Sequence, residues 1–150
     1  MAPIANTVEL ARPPDELFAF ITDPSHFSEW QEAVENAEVE GGGPVGEGSR
    51  VRMRRRMGPR VQDMTMEITE FSPPRSYAFR GIDGPVRAIG KGRIEPADGG
   101  RSRFTFELDF EGHGIGKLLL PLVRRQAKKE LLETHRGLER RLGSGGGGAY

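Results

Sequence analysis

The sequence predicts an α+β fold: a seven-stranded antiparallel sheet covered by a long C-terminal helix, with two short helices after the first strand. Three observations predict it. From about Ile115 to Leu142 runs the one long helical pattern. In it Leu120, Val123, Ala127, Leu131, Thr134, Leu138 and Leu142 recur three or four residues apart and form one stripe at roughly 100° per residue. Ahead of it lie runs that alternate apolar and polar residues, the sign of half-buried strands. Links of hairpin length join most of these runs, which implies antiparallel pairing. Such a sheet is apolar on one face and needs a cover, and the helical stripe supplies one.

Ile4 to Leu10 is the first strand, and Pro13 and Pro14 stop it. Pro14 can take the first helical position, where Asp15 and Glu16 favour the positive end of the helix dipole. Leu17, Phe18, Phe20 and Ile21 make this short helix mostly apolar. Asp23-Pro24 ends it, because a residue before proline avoids the helical region. The same pair caps a second short helix, Pro24 to about Trp30. Val34 to Glu40 reads as a strand and GGGPVGEG as a loop. Two alternating runs then flank Met57-Gly58-Pro59-Arg60, a hairpin signal. On the first run Val51, Met53, Arg55 and Met57 share one face, and Arg50, Arg52, Arg54 and Arg56 share the other. On the second, Met64, Met66 and Ile68 oppose Asp63, Thr65, Glu67 and Thr69. Ser76 to Ile82 puts Tyr77 and Phe79 on one face, and Val86 to Glu95 is a strand thinned by Gly90 and Gly92. Arg103 to Glu111 alternates cleanly, with Phe104, Phe106, Leu108 and Phe110 on one side.

Gly112, Gly114 and Gly116 separate this strand from the long helix and read as a flexible link. Pro121 is tolerated only near a helix start. Around it Leu118, Leu119, Leu120, Leu122 and Val123 are apolar on every side, which predicts burial on several sides. Basic residues crowd the later turns and Gly143 follows, both suited to a helix C-terminus. Residues 1–143 are expected to form one domain. Ser144 to Tyr150 has nothing to bury and reads as a flexible tail.

Acidic and basic residues balance at 22 each, so the total charge points to no nucleic-acid partner. Their distribution is uneven. Nine acids and no Lys or Arg fall between Pro13 and Ser49, and six Arg with no acid fall between Arg50 and Arg60. Complementary faces of one globule account for this, and no aromatic residues interleave the arginine run as they would on a nucleic-acid surface. The chain has no Cys, which excludes disulfides and thiol chemistry. The opening residues lack the features of a signal peptide, and the longest apolar run, Leu118 to Val123, is too short to span a bilayer. A cytoplasmic protein without membrane insertion is the expectation. His26, His113 and His135 show no metal-ligand spacing, and each reads as a surface or helix-end residue. No metal or other cofactor is expected, and no nucleophile-base pair is legible from spacing.

The first third, VELARPPDELFAFITDPSHFSEW, resembles the opening of the START-like helix-grip superfamily (SRPBCC). There a strand runs into a proline-proline-acid-acid turn, an apolar helix, Asp-Pro and Trp. ADGGRSRFTFELDF followed by GIGKLLLPLVRRQAKKELLETHRGLERRL resembles that superfamily's last strand and closing helix. The polyketide cyclase/dehydrase and lipid-transport branch is the one it is most similar to. The resemblance covers Ile4 to Leu142. It implies a strongly curved seven-stranded sheet gripping the C-terminal helix, with a cavity between them, and it assigns no catalytic residue.

Polar groups on apolar faces need partners or mark a site. Arg55 lies among Val51, Met53 and Met57, Thr134 between Leu131 and Leu138, and Tyr77 beside Phe79. Arg55 reads as a structural ion pair or as a ligand anchor, and Thr134 as bonding its own helix or facing the site. Met53, Met64 and Met66 suit an adaptable wall. With Phe104, Phe106, Ala127 and Leu131 they complete the expected ligand-binding set. The first functional reading is a small hydrophobic or amphipathic ligand held between sheet and helix. The second is a polyketide aromatase/cyclase- or dehydratase-like enzyme using the same cavity, and the third an interaction module with acidic and basic faces. Deleting Ser144 to Tyr150 should leave stability within about 0.5 kcal/mol, as changes away from packed features do. Cutting back to Arg136 should destabilise the protein badly, because Leu138 and Leu142 leave the stripe. Equal melting temperatures for the two truncations would mean that the helix does not close the fold.

Overall fold

The computed structural model describes residues 3–57 and 59–142. The chain runs through β1 (Ile4–Leu10), α1 (Pro14–Thr22), a 3-10 turn (Pro24–His26), α2 (Phe27–Trp30) and β2 (Val34–Val39). There follow β3 (Arg50–Met57), β4 (Arg60–Ser72), β5 (Ser76–Gly81), β6 (Val86–Ala97), β7 (Arg101–Gly112) and α3 (Gly116–Leu142). This is the element order that the sequence predicts, and it is the helix-grip architecture. Neighbouring strands lie in the order β1-β7-β6-β5-β4-β3-β2, antiparallel throughout. β1 and β2 are therefore the two edges, and α1 and α2 carry the chain from one to the other. The expected Gly143 cap and the tail from Ser144 to Tyr150 lie outside the described residues.

Local chemistry sets the bounds of the short helices. Pro14 opens α1 with Asp15 and Glu16 in its first turn. Asp23 closes it and accepts a hydrogen bond from the Ser25 backbone N–H at 2.9 Å, which starts the following turn. Their apolar residues converge on one end of the sheet. Leu17, Phe18, Ile21, Phe27 and Trp30 pack with Val8, Leu10, Ile94, Phe104 and Leu138 in one buried cluster. Phe18 meets Phe71 edge-on at 5.2 Å between ring centres.

Strand parity decides which side chains face this cluster. Val51 lies opposite Met66, and Met53 opposite Met64, so these residues share the inner face with Arg55. Phe79 lies opposite Gly90, and Tyr77 opposite Gly92. A Cβ at residue 90 would sit 2.4 Å from the Phe79 ring, and one at residue 92 would sit 2.3 Å from the Tyr77 ring. The glycines that thin β6 are thus the floor on which two aromatic rings of β5 lie. Phe106 of β7 stacks with Phe79 at 6.0 Å.

The outer face explains the uneven charge. Arg52 pairs with Glu38 of β2 at 3.5 Å, Arg54 with Asp63 of β4 at 3.5 Å, and Glu67 with Arg80 of β5 at 3.5 Å. Lys91 reaches Glu70 at 3.5 Å and Arg93 reaches Glu107 at 3.8 Å. The basic stretch therefore lies between acidic neighbours on both sides. Each exposed pair is worth only about 0–1 kcal/mol. Together they favour this strand order over others.

Three expectations about α3 are corrected. Its first turns are not buried on several sides: Leu118, Leu119 and Leu122 are exposed. The sheet meets only one side of the helix there, so residues apolar all round leave the rest bare. The glycine link is close-packed at both ends and open only at Gly114: a Cβ at Gly112 would lie 2.7 Å from Lys117 Cα and one at Gly116 1.8 Å from the Pro85 carbonyl oxygen, to which the His113 N–H donates at 2.7 Å. His135 is no surface residue. It is 3% exposed, four residues after Leu131 and three before Leu138, and so lies on the buried side of the helix.

The Asn6 amide of β1 donates to His135 Nδ1 at 2.8 Å, which leaves the ring proton on Nε2. Phe104 packs against the imidazole at 5.5 Å. Burial lowers the His135 pKa to about 4, so the folded protein holds it neutral at pH 7. In the unfolded chain the ring takes up its proton near 6.5. Between those values the unfolded state binds more protons, so stability falls as pH drops from about 6.5 towards about 4. The full loss is on the order of 3 kcal/mol. Urea denaturation at pH 7 and pH 5 should show this fall in the parent protein and a shallower one in His135→Gln. Parallel falls in both would show that another group is responsible.

Candidate functional site

α3 lies chiefly along β7 and β1, with lighter contact to β6 and α2. Its C-terminal half closes on the core through Leu131, His135 and Leu138, all buried. Its N-terminal half is less buried. There Leu120, Val123, Ala127 and Glu130, with Thr134 behind them, are half-buried. Met64, Met66, Phe79 and Phe106 of the facing sheet are half-buried as well. Both sets are mostly apolar, and both keep some solvent contact.

One polar bridge crosses from β3 to α3. The Arg55 guanidinium donates through Nη2 to the Glu130 carboxylate. The Arg55 and Glu130 side chains keep 24% and 26% of their exposure, so the pair is partly desolvated but not sealed. Burial lowers the pKa of Arg55, and the group still stays charged. A second pair fastens the helix further along: Arg124 Nη1 donates to Asp109 Oδ1 at 2.6 Å. β1 begins at Ile4, opposite Leu108, so Arg124 meets β7 just beyond that pairing. Tyr77 lies deep against Phe18, and burial pushes its phenol pKa up, so the hydroxyl stays protonated. The buried Trp30 Nε1–H has no hydrogen-bond partner among the described residues.

The expected ligand-binding residues divide into two groups. Met53, Tyr77, Phe104 and Leu131 are buried, the first three within the main core cluster. Arg55, Met64, Met66, Phe106, Ala127 and Thr134 are half-buried. Sequence reasoning missed Glu130. The signal was present, since Glu130 is three residues after Ala127 and four before Thr134, which puts all three on one side of the helix. Phe79 was legible by its parity with Tyr77 and was passed over. Two clefts, of about 670 and 660 Å3, open elsewhere. The first lies beneath the glycine loop, between Thr22, Pro24, Ala37 and Val45, and the second between α3 and β1. Among the described residues no group of three His, Asp or Glu is placed to hold a metal ion.

Comparison with known structures gives the same architecture. A START superfamily protein from Mycobacterium smegmatis superposes with a TM-score of 0.75 at 16% identity, over 95% of this chain and 97% of that one. A protein from Thermus thermophilus matches with 0.74 at 20% identity, over 92% and 94%. The Zhui aromatase/cyclase from Streptomyces sp. R1128 matches with 0.67 at 19% identity, over 93% and 94%. At these identities the likeness is one of fold. No curated protein matches the sequence. A family profile matches residues 1–143, and the chain belongs to the polyketide cyclase / dehydrase and lipid transport family.

Proposed function

We propose that the protein binds a small hydrophobic or amphipathic molecule in the crevice between the inner face of the sheet and the N-terminal half of α3. One observation carries this reading. Met64, Met66, Phe79 and Phe106 on the inner face of the sheet and Leu120, Val123 and Ala127 on α3 are all half-buried, and the Arg55–Glu130 pair bridges that face to the helix. An apolar guest would complete the burial, at roughly 25 cal/mol per Å2 of surface removed from water. Methionines let the wall adapt to the shape of a guest. Arg55 would receive an acidic head group, exchanging Glu130 for it. The family description, which joins polyketide cyclases with lipid transport, supports a guest of this class.

A second reading, catalysis in the same crevice, has its own observation. Arg55 and Glu130 set a cation and a carboxylate side by side at an apolar wall. Such a pair would polarise a carbonyl and move a proton on a substrate held in a folded shape. Structural likeness to an aromatase/cyclase supports it at the level of fold.

An environment-sensitive apolar dye should saturate one site and be displaced by long-chain or polycyclic compounds. Folded protein that shows no saturable binding would sink both readings. Arg55→Met should cost roughly 1–3 kcal/mol by leaving Glu130 uncompensated, less than for a fully buried pair because both side chains reach solvent. Arg55→Met with Glu130→Met should recover that loss. In the double variant, affinity for a fatty acid should fall about tenfold or more while affinity for an uncharged dye holds, each factor of ten being about 1.4 kcal/mol. Unchanged fatty-acid affinity would remove Arg55 from the site.

A further inference from the structure

Four large aliphatic side chains lie bare at the start of α3: Leu118 is 80% exposed, Ile115 69%, Leu122 66% and Leu119 41%. Scattered exposed leucines are ordinary, but a contiguous cluster marks a surface that something covers. The helix turns the same side chains into part of a pattern. Leu118, Leu122, Arg125 and Lys129 follow at steps of four, three and four, which places them on one outward stripe about 60° wide. All four are exposed or half-buried. The stripe is apolar for two turns and then cationic, and the acid Glu133 comes only one turn further back. Beside it lies the groove of about 660 Å3 between α3 and β1, lined by Arg124, Arg125, Lys128, Ile4, Leu131 and Leu132 among others, with no acid in its lining. Arg124 is already bonded to Asp109. At the same end of the sheet the acid Glu111 lies 3.6 Å from His113.

We propose that this end of α3 docks on an anionic lipid surface, with the aliphatic tip in the membrane interface and Arg125, Lys128 and Lys129 at the level of the phosphates. From Leu122 to Arg125 and Lys129 the axial distance is about 5–10 Å, the depth to which an interfacial helix sinks. Charge selects the occupant. A second copy of this chain would bring the same cationic stripe, whereas an anionic bilayer offers an apolar layer and negative charge in the right order. Among the described residues no helix is long and apolar enough to cross a membrane, so the docking is peripheral. Tip and crevice share the N-terminal half of α3, yet docking needs no guest in the crevice.

Co-sedimentation with phosphatidylcholine vesicles, with and without phosphatidylglycerol, tests the proposal. The full chain should bind the anionic vesicles about tenfold or more tightly than the neutral ones, and added salt should shrink the difference. Leu118→Ser with Leu122→Ser should weaken binding to anionic vesicles about tenfold or more, and Arg125→Glu with Lys129→Glu should do the same. The substituted side chains reach solvent, so melting temperatures should hold, and the second pair serves if the first disturbs folding. Binding to neither vesicle, or to both equally, would overturn the proposal. So would a concentration-dependent dimer that the leucine pair abolishes and anionic vesicles do not compete away. The measurement uses no crevice ligand, so it stands or falls apart from the dye titration.

Discussion

Seven strands about 4.8 Å apart would span about 29 Å if laid flat, whereas a helix with its side chains is about 10–12 Å across. One helix therefore cannot cover this sheet face to face. The mismatch must be met by curving the sheet, by adding cover, or by leaving a gap, and this protein curves its sheet and adds cover. α1 and α2 cover one end with Phe18, Ile21 and Trp30. α3 seals β1 and β7 through Leu131, His135 and Leu138. On β3 to β5, Val51, Met53, Ile68 and Tyr77 are buried in the core cluster, while Met64, Met66 and Phe79 stay half-buried.

That bridge is a compromise between two costs. A charge taken fully out of water costs several kcal/mol, and its partner repays this only with good geometry. Arg55 and Glu130 keep part of their hydration, so the pair holds α3 near β3 without a full desolvation penalty. A nonpolar pair would avoid that penalty altogether and give up the charge. Towards the C-terminal end of the helix, Asn6 of β1 meets His135 through a neutral hydrogen bond.

Much of this was legible in the chain, and the rest was hidden for definite reasons. Period-two alternation fixed the inner faces of β3, β4 and β7 residue by residue, because a slip of one would have turned Met53 and Phe104 outward. The opening and closing motifs supplied the curvature, which no periodicity reports. Arg55 was recognised as anomalous by parity alone, but its partner depended on where α3 lands, a tertiary fact. His135 sits at the margin of the helical stripe, and its residue type argued for the surface. The tip of α3 misled for the opposite reason: apolarity all round reads as burial when the sequence does not say where the sheet ends.

Gly90 and Gly92 mean that β6 contributes backbone, and no side chain, to two positions of the inner wall. The space above them is filled by Phe79 and Tyr77, which are rooted on the neighbouring strand. Volume at these positions is thus transferable between strands. A smaller residue at 77 or 79 would make room for a larger one at 92 or 90 with the sheet register unchanged. Sequence drift here should therefore come in matched pairs, and each exchange would reshape the inner face of the sheet from its floor rather than from its rim.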